Sequence, residues 1–151
     1  IDSSDTNIHQ LRRQVWNFVD RRTSDMSIVF QSFAYKHGVP KDADFIFDAR
    51  ILPNPYWEED LRALSGVNES VKLWLEKDAQ VIKMSEDIEN FMRTWLPAIQ
   101  DSQRSYVTIC IGCTGGKHRS VFLAERLSKS LGKQHENVLV HHREMSSWDD
   151  T

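Results

Sequence analysis

The stretch from Arg104 to Leu131, RSYVTICIGCTGGKHRSVFLAERLSKSL, decides the fold. Tyr106 to Ile111 is an unbroken run of β-forming residues, apolar or small on both faces, as a strand buried inside a sheet requires. From Ser120 onward, Val121, Leu123, Ala124, Leu127 and Leu131 recur along one helix face, and Lys129 stands near the end, where a cation suits the helix dipole. What lies between them is therefore a strand-to-helix turn. Its Gly112, Gly115 and Gly116 tolerate positive φ, so successive backbone N–H groups are expected to converge at the helix N-terminus. Lys117, His118 and Arg119 follow. A basic triplet is the wrong sign for a helix start unless an anion sits there, so the turn reads as an anion site, with phosphate as the expected guest. The plainer alternative is a tight turn followed by a solvated basic helix start.

A Walker A loop is excluded by spacing. Gly112 to Gly116 encloses three residues, and His118 follows Lys117 where a magnesium-binding hydroxyl belongs. Cys113, Gly116, Arg119 and Ser120 do match C-x-x-G-x-x-R-S, the loop of cysteine-dependent phosphatases. In that rival reading Cys113 is the nucleophile, Arg119 clamps the phosphoryl oxygens, and Asp48 or Asp60 is the acid. Gly112 replaces the His that usually precedes such a cysteine.

The 151 residues suit one domain, able to bury roughly 70% of its unfolded surface. Lys and Arg number 19 against 22 Asp and Glu, a net charge of −3, so any RNA surface must be a local patch rather than a global field. A disulfide between Cys110 and Cys113 would deform the turn they frame. With no signal peptide or apolar span, a reducing cytoplasm is expected. The chain begins at Ile1 without Met, as a piece of something longer would.

Residues 1–25 read as a linker or arm helix, capped at Asp5 or Thr6, with Ile8, Leu11, Val15, Phe18 and Val19 on one face. Met26 to Ala34 and Asp44 to Asp48 read as strands. The loop after the second carries Pro53 and Pro55, and with Arg50, Asn54 and Tyr56 it stands where open α/β sheets place ligand contacts. Alternatively, Pro-x-Pro only redirects the chain and Trp57 fills a gap. Two helices follow Gly66, one striped by Val67, Val71, Trp74 and Leu75, the next by Val81, Met84, Ile88, Phe91, Met92, Trp95, Leu96 and Ile99 and ending beside Pro97. Lys77 lies between them. Asn137 to His142 is a last strand whose two histidines point to opposite faces and cannot share a metal. Residues 144–151 read as an acidic, frayed tail. The fold class is thus α/β, a single domain with a mixed, mostly parallel sheet flanked by helices. No cofactor, metal or membrane contact is expected.

The runs SFAYKHGVPKDADFIFDARILPNPYW and RSYVTICIGCTGGKHRSVFLAE resemble the C-terminal domain of the RapZ (RNase adapter, YvcJ-type nucleotide-binding) family, from about Met26 to His142. The resemblance implies a bacterial, non-enzymatic adapter domain spanning residues 26–143. It would sense glucosamine-6-phosphate and present small regulatory RNA to RNase E, through a subdomain like the sugar-phosphate part of phosphofructokinase. It also implies that an N-terminal P-loop domain is absent and that the full-length protein is a homo-oligomer. Thr114, Gly115 and Arg119 match the phosphosugar cradle, with Gly116, Lys117, His118, Asn54, Tyr56, Lys77 and Asn137 as further ligand contacts. Lys36, Lys117 and Arg143 match RNA contacts. Tyr56 replaces a His of the family and Lys77 an Arg, losing bidentate phosphate geometry. Glu144, Asp149 and Asp150 replace a basic C-terminal end, which lowers the expected RNA affinity.

Overall fold

A computed structural model describes residues 26–150; the arm expected over residues 1–25 lies outside them. Four strands form one sheet: β1 (Ser27–Ala34), β2 (Phe45–Asp48), β3 (Tyr106–Cys113) and β4 (Val138–His142), in the order β2-β3-β1-β4. Every pairing is parallel, in keeping with the mostly parallel sheet expected. β1 and β3 occupy the two inner places, which is why their sequences are apolar or small almost throughout.

Three helices complete the core: α1 (Glu69–Glu76), α2 (Ala79–Asp101) and α3 (Arg119–Leu131). α3 lies on β1, β3 and β4, α2 packs on α3, and α1 packs on α2. Alternation in the strands sends Ile28 and Phe30, with Val107, Ile109 and Ile111, into this core, where they meet Leu123, Leu127, Leu75 and Met92. Val29 packs in a separate, smaller cluster with Tyr106 and Leu139. α2 does not end at Pro97 but continues to Asp101. Pro97 falls in the exposed last part of the helix, where losing one backbone donor leaves the buried stripe of Ile88, Met92 and Leu96 intact.

Parallel register brings all four strand ends to one edge. Ala34 stands beside Cys113, Asp48 beside Gly112 and Ser32 beside His142. The segments 35–37, 49–57, 114–118 and 143–150 therefore converge there, and any ligand site built from several loops belongs at this edge. The expected frayed tail is ordered: Met145–Asp150 forms a 3-10 helix, and the indole N–H of Trp148 donates to Gly116 O at 3.0 Å.

Candidate functional site

The turn after β3 is fixed from behind. Gly116, at φ +65°, is the glycine of the turn that adopts the left-handed region; a Cβ there would stand 2.7 Å from Glu144 Cγ and 2.8 Å from Ala34 N. Gly112 is needed for space instead, since its Cβ would strike the Phe33 ring at 2.4 Å. Gly115 has open space beside it. The turn's carbonyls are spent on the scaffold: Thr114 O accepts from Lys36 N, Gly116 O from Trp148, and Lys117 O from Gly66 N. Gly66 can approach so closely because its Cβ position is already taken by His118 O, 2.4 Å away.

The N-terminus of α3 has no side-chain cap and no acidic residue in its first turn. Its leading N–H groups lack intrahelical acceptors, as in every helix. One is met by sulfur: Ser120 N donates to Cys113 Sγ at 3.5 Å, and the same sulfur lies 3.1 Å from Ser120 Oγ. In front of this helix end is a cleft of about 350 Å³, lined by Lys36, Asn54, Tyr56, Trp57, Cys113, Thr114, Gly115, Lys117, His118 and Arg119. Among the described residues no Asp or Glu lines it. A larger cleft of about 480 Å³, between β2 and α2, is mostly apolar; its lysine, Lys83, is paired with Asp87 at 3.3 Å.

The basic triplet does not act as three equal charges. Arg119 is buried, and its Nη1 donates to Arg50 O at 2.8 Å and Leu52 O at 2.9 Å, while Nη2 reaches Thr114 Oγ1 at 3.5 Å. Every oxygen it bonds is neutral, so its charge is not cancelled by these bonds, and among the described residues its Nε has no hydrogen-bond acceptor. Arg119 thus braces the 50–52 segment against the turn while facing the cleft. His118 is held neutral: burial depresses its pKa, and its Nε2 lies 3.2 Å from Leu61 O. It shapes the site without charging it. Lys117 is also shifted down by burial, an effect opposed by the carboxylate of Asp149. An anion in the cleft would oppose it further.

The cleft's far wall is the 3-10 turn Pro55–Trp57, capped by Asn54 Oδ1, which accepts from Tyr56 N at 3.1 Å. Tyr56 is fixed by Arg62, which donates to Tyr56 O at 2.8 Å and lies 5.1 Å from its ring centroid. Trp57 fills no gap; it is 74% exposed at the rim.

The twelve sequence-derived ligand and RNA positions thus separate. Thr114, Gly115, Lys117, His118, Arg119, Asn54, Tyr56 and Lys36 share the cleft, whereas Lys77 and Asn137 do not. Lys77 sits in a separate hollow with Glu58, Asp60 and Trp74. Asn137 precedes β4, and its carbonyl accepts from Ile28 N at the opposite edge of the sheet. Gly116 supports the cleft from behind. Arg143, expected at an RNA-facing surface, is buried, donating to Glu144 Oε2, Ala34 O and Gly38 O. Glu144, expected in an acidic tail, is its buried partner and also accepts from Ala34 N. Trp57 and the Trp148 contact were missed. An aromatic beside Pro-x-Pro was a signal for the first; nothing local marks the second.

The phosphatase arrangement does not assemble. Asp48 is held by Arg50, whose hydrogen bonds depress its carboxyl pKa below the usual value, so it carries no proton to give near neutrality. It lines the β2 cleft, and Asp60 lies in the hollow with Lys77. Neither carboxylate lines the cleft that holds Cys113 and Arg119, so no acid faces the would-be nucleophile among the described residues. Cys110 is buried, and its thiol pKa is pushed up to about 12 by desolvation. Both cysteines are free thiols.

Comparison with known proteins adds to this geometry. Residues 26–146 match the family described as RapZ C-terminal domain. A nucleotide-binding protein of Shewanella amazonensis is 49% identical over 148 residues, covering 97% of this chain and 52% of that protein. Nucleotide-binding proteins of Stenotrophomonas maltophilia and Nitrosococcus oceani are 51% and 50% identical, over 95% and 97% of this chain and 50% and 52% of their own lengths. The chain spans about half the length of these curated relatives.

Proposed function

Because the chain belongs to the RapZ C-terminal domain family, we propose that it is a regulatory domain whose cleft binds glucosamine-6-phosphate. In the longer protein it would present small regulatory RNA to RNase E and other regulatory proteins. The observation that carries the ligand half of this reading is Arg119: a buried cation at an uncapped helix start, bonded among the described residues to neutral oxygens and facing a small cleft that no described carboxylate lines. The phosphate would lie against the N–H groups from Gly115 to Lys117, with Thr114 and Lys117 around it, and the sugar would extend toward Asn54 and Tyr56. RNA contact rests on Lys36, which is exposed on the same edge, and no longer on Arg143. The nucleotide binding in the relatives' names fits the half of those proteins that this chain does not span, since the 112–119 turn lacks Walker A spacing.

The domain's melting temperature, followed during titration with glucosamine-6-phosphate, tests the ligand. A concentration-dependent rise, absent with glucosamine and lost in Lys117→Gln, supports the reading. No rise with any sugar phosphate removes it.

A further inference from the structure

We propose that Trp57 is the residue on which the cleft seats the ring of its phosphorylated ligand, and that its indole face supplies the partner for the ligand's ammonium group. The inference rests on the phosphosugar reading above and adds the half of the ligand that the phosphate turn does not address. Trp57 is 74% exposed, yet its backbone is tightly held. Trp57 N donates to Asn54 O, Glu58 N to Pro55 O, and Tyr56 N to Asn54 Oδ1, while Arg62 secures Tyr56 O. The indole meets the Tyr56 ring edge to face, with centroids 5.2 Å apart and planes at 86°. A large apolar side chain is thus presented to water by a rigid turn, which is the arrangement of a stacking surface prepared in advance.

Its neighbours specify the guest. Lys117 and Arg119 line the same cleft, so the molecule that covers the indole carries an anion. At about 350 Å³ the cleft is near the lower end of small-ligand sites, which favours a single phosphorylated ring over a base joined to a ribose. The C–H face of a pyranose lies flat on an indole. An amino sugar brings a positive charge as well, and no Asp or Glu among the described residues lines the cleft to receive it. The aromatic faces of Trp57 and Tyr56 are what remain, and Trp is the strongest π partner for a cation. Ile51 and Trp95, also exposed, do not line this cleft and offer its ligand no face.

Calorimetric titrations of inorganic phosphate, glucose-6-phosphate, glucosamine-6-phosphate and adenosine 5′-monophosphate into the protein and its Trp57→Ala and Trp57→Phe variants test this. Expected are an affinity order of glucosamine-6-phosphate, then glucose-6-phosphate, then phosphate, and a loss of about tenfold for the amino sugar in Trp57→Ala. Phosphate affinity should be unchanged in that variant and sugar affinity partly restored by Phe. An equal loss for phosphate and sugar phosphate overturns the inference, because it reports a disturbed fold. Sugar phosphate binding no tighter than phosphate overturns it while leaving the anion turn standing. Tightest binding of the adenosine nucleotide, with the largest loss in Trp57→Ala, replaces the sugar by a base. Failure of every anion to bind removes both the inference and the reading beneath it.

Discussion

Arg143 and Arg119 are both buried, and both follow a strand at the same edge of the sheet, yet they are satisfied differently. Arg143 meets the carboxylate of its own neighbour: Glu144 lies 2.7 Å from Nη2 and also takes the Ala34 N–H and the His37 ring. Arg119 meets two peptide carbonyls and a hydroxyl, which orient it without neutralising it. A buried charge is costly unless it is compensated. Where the fold supplies the counter-charge, the arginine is architecture. Where its hydrogen bonds go to neutral oxygens and a carboxylate, Asp48, acts on it only through space, the arginine keeps the capacity to meet an anion that the proposed function assigns to it. Residue type alone could not separate the two.

The sharpest way to break this contrast is to remove one partner from each. Glu144→Gln leaves the Arg143 guanidinium buried without its carboxylate and should cost about 3 kcal/mol in urea unfolding, with little change in anion affinity per folded molecule. Arg119→Met should cost less stability, about 1.5 kcal/mol for two released carbonyls, but abolish anion binding. A reversal of those two losses would end the distinction. Next in size is the back of the turn: Gly116→Ala should lose about 2 kcal/mol, from its positive φ and the approach of Glu144 and Ala34, whereas Gly115→Ala, with open space beside it, should stay within about 0.5 kcal/mol.

A smaller effect comes from His118. Burial lowers its pKa, so it is neutral in the fold and takes up a proton more readily when unfolded. Its contribution is therefore full above the ordinary value of about 6.5 and is lost as pH falls from there toward the depressed native pKa. His141, also shifted down by burial, adds in the same sense. His118→Gln should flatten the fall in stability measured between about pH 7 and pH 5. The smallest expected change is electrostatic: Asp149→Asn removes the carboxylate that acts on Lys117, and should raise phosphate affinity by about twofold at low salt and not at high salt.

The strand, turn and helix from Tyr106 to Leu131 were legible because hydrophobic period and turn chemistry are local, and the turn's residues lie next to one another in sequence. The 53–57 segment was legible for a related reason, since its prolines fix a loop at a strand end. What sequence did not disclose is long-range. Asn137 is adjacent to a strand, but at the entering edge rather than the leaving one, which only sheet order and direction determine. Arg143 and Glu144 look like exposed charges until β4 is laid beside β1. Trp148 reaches back 32 residues to Gly116, a contact with no periodic signature. Even Lys77, in the turn after α1, needed the helix's placement to be separated from the cleft.

The Arg119 brace ends on the peptide oxygens of Arg50 and Leu52, atoms that every amino acid supplies. Substitutions along 50–57 can therefore alter what the rim recognises without unfastening it from the anion turn. The joint between the 50–52 segment and the helix start is thus written in backbone atoms, and the side chains of that segment are free to change around it.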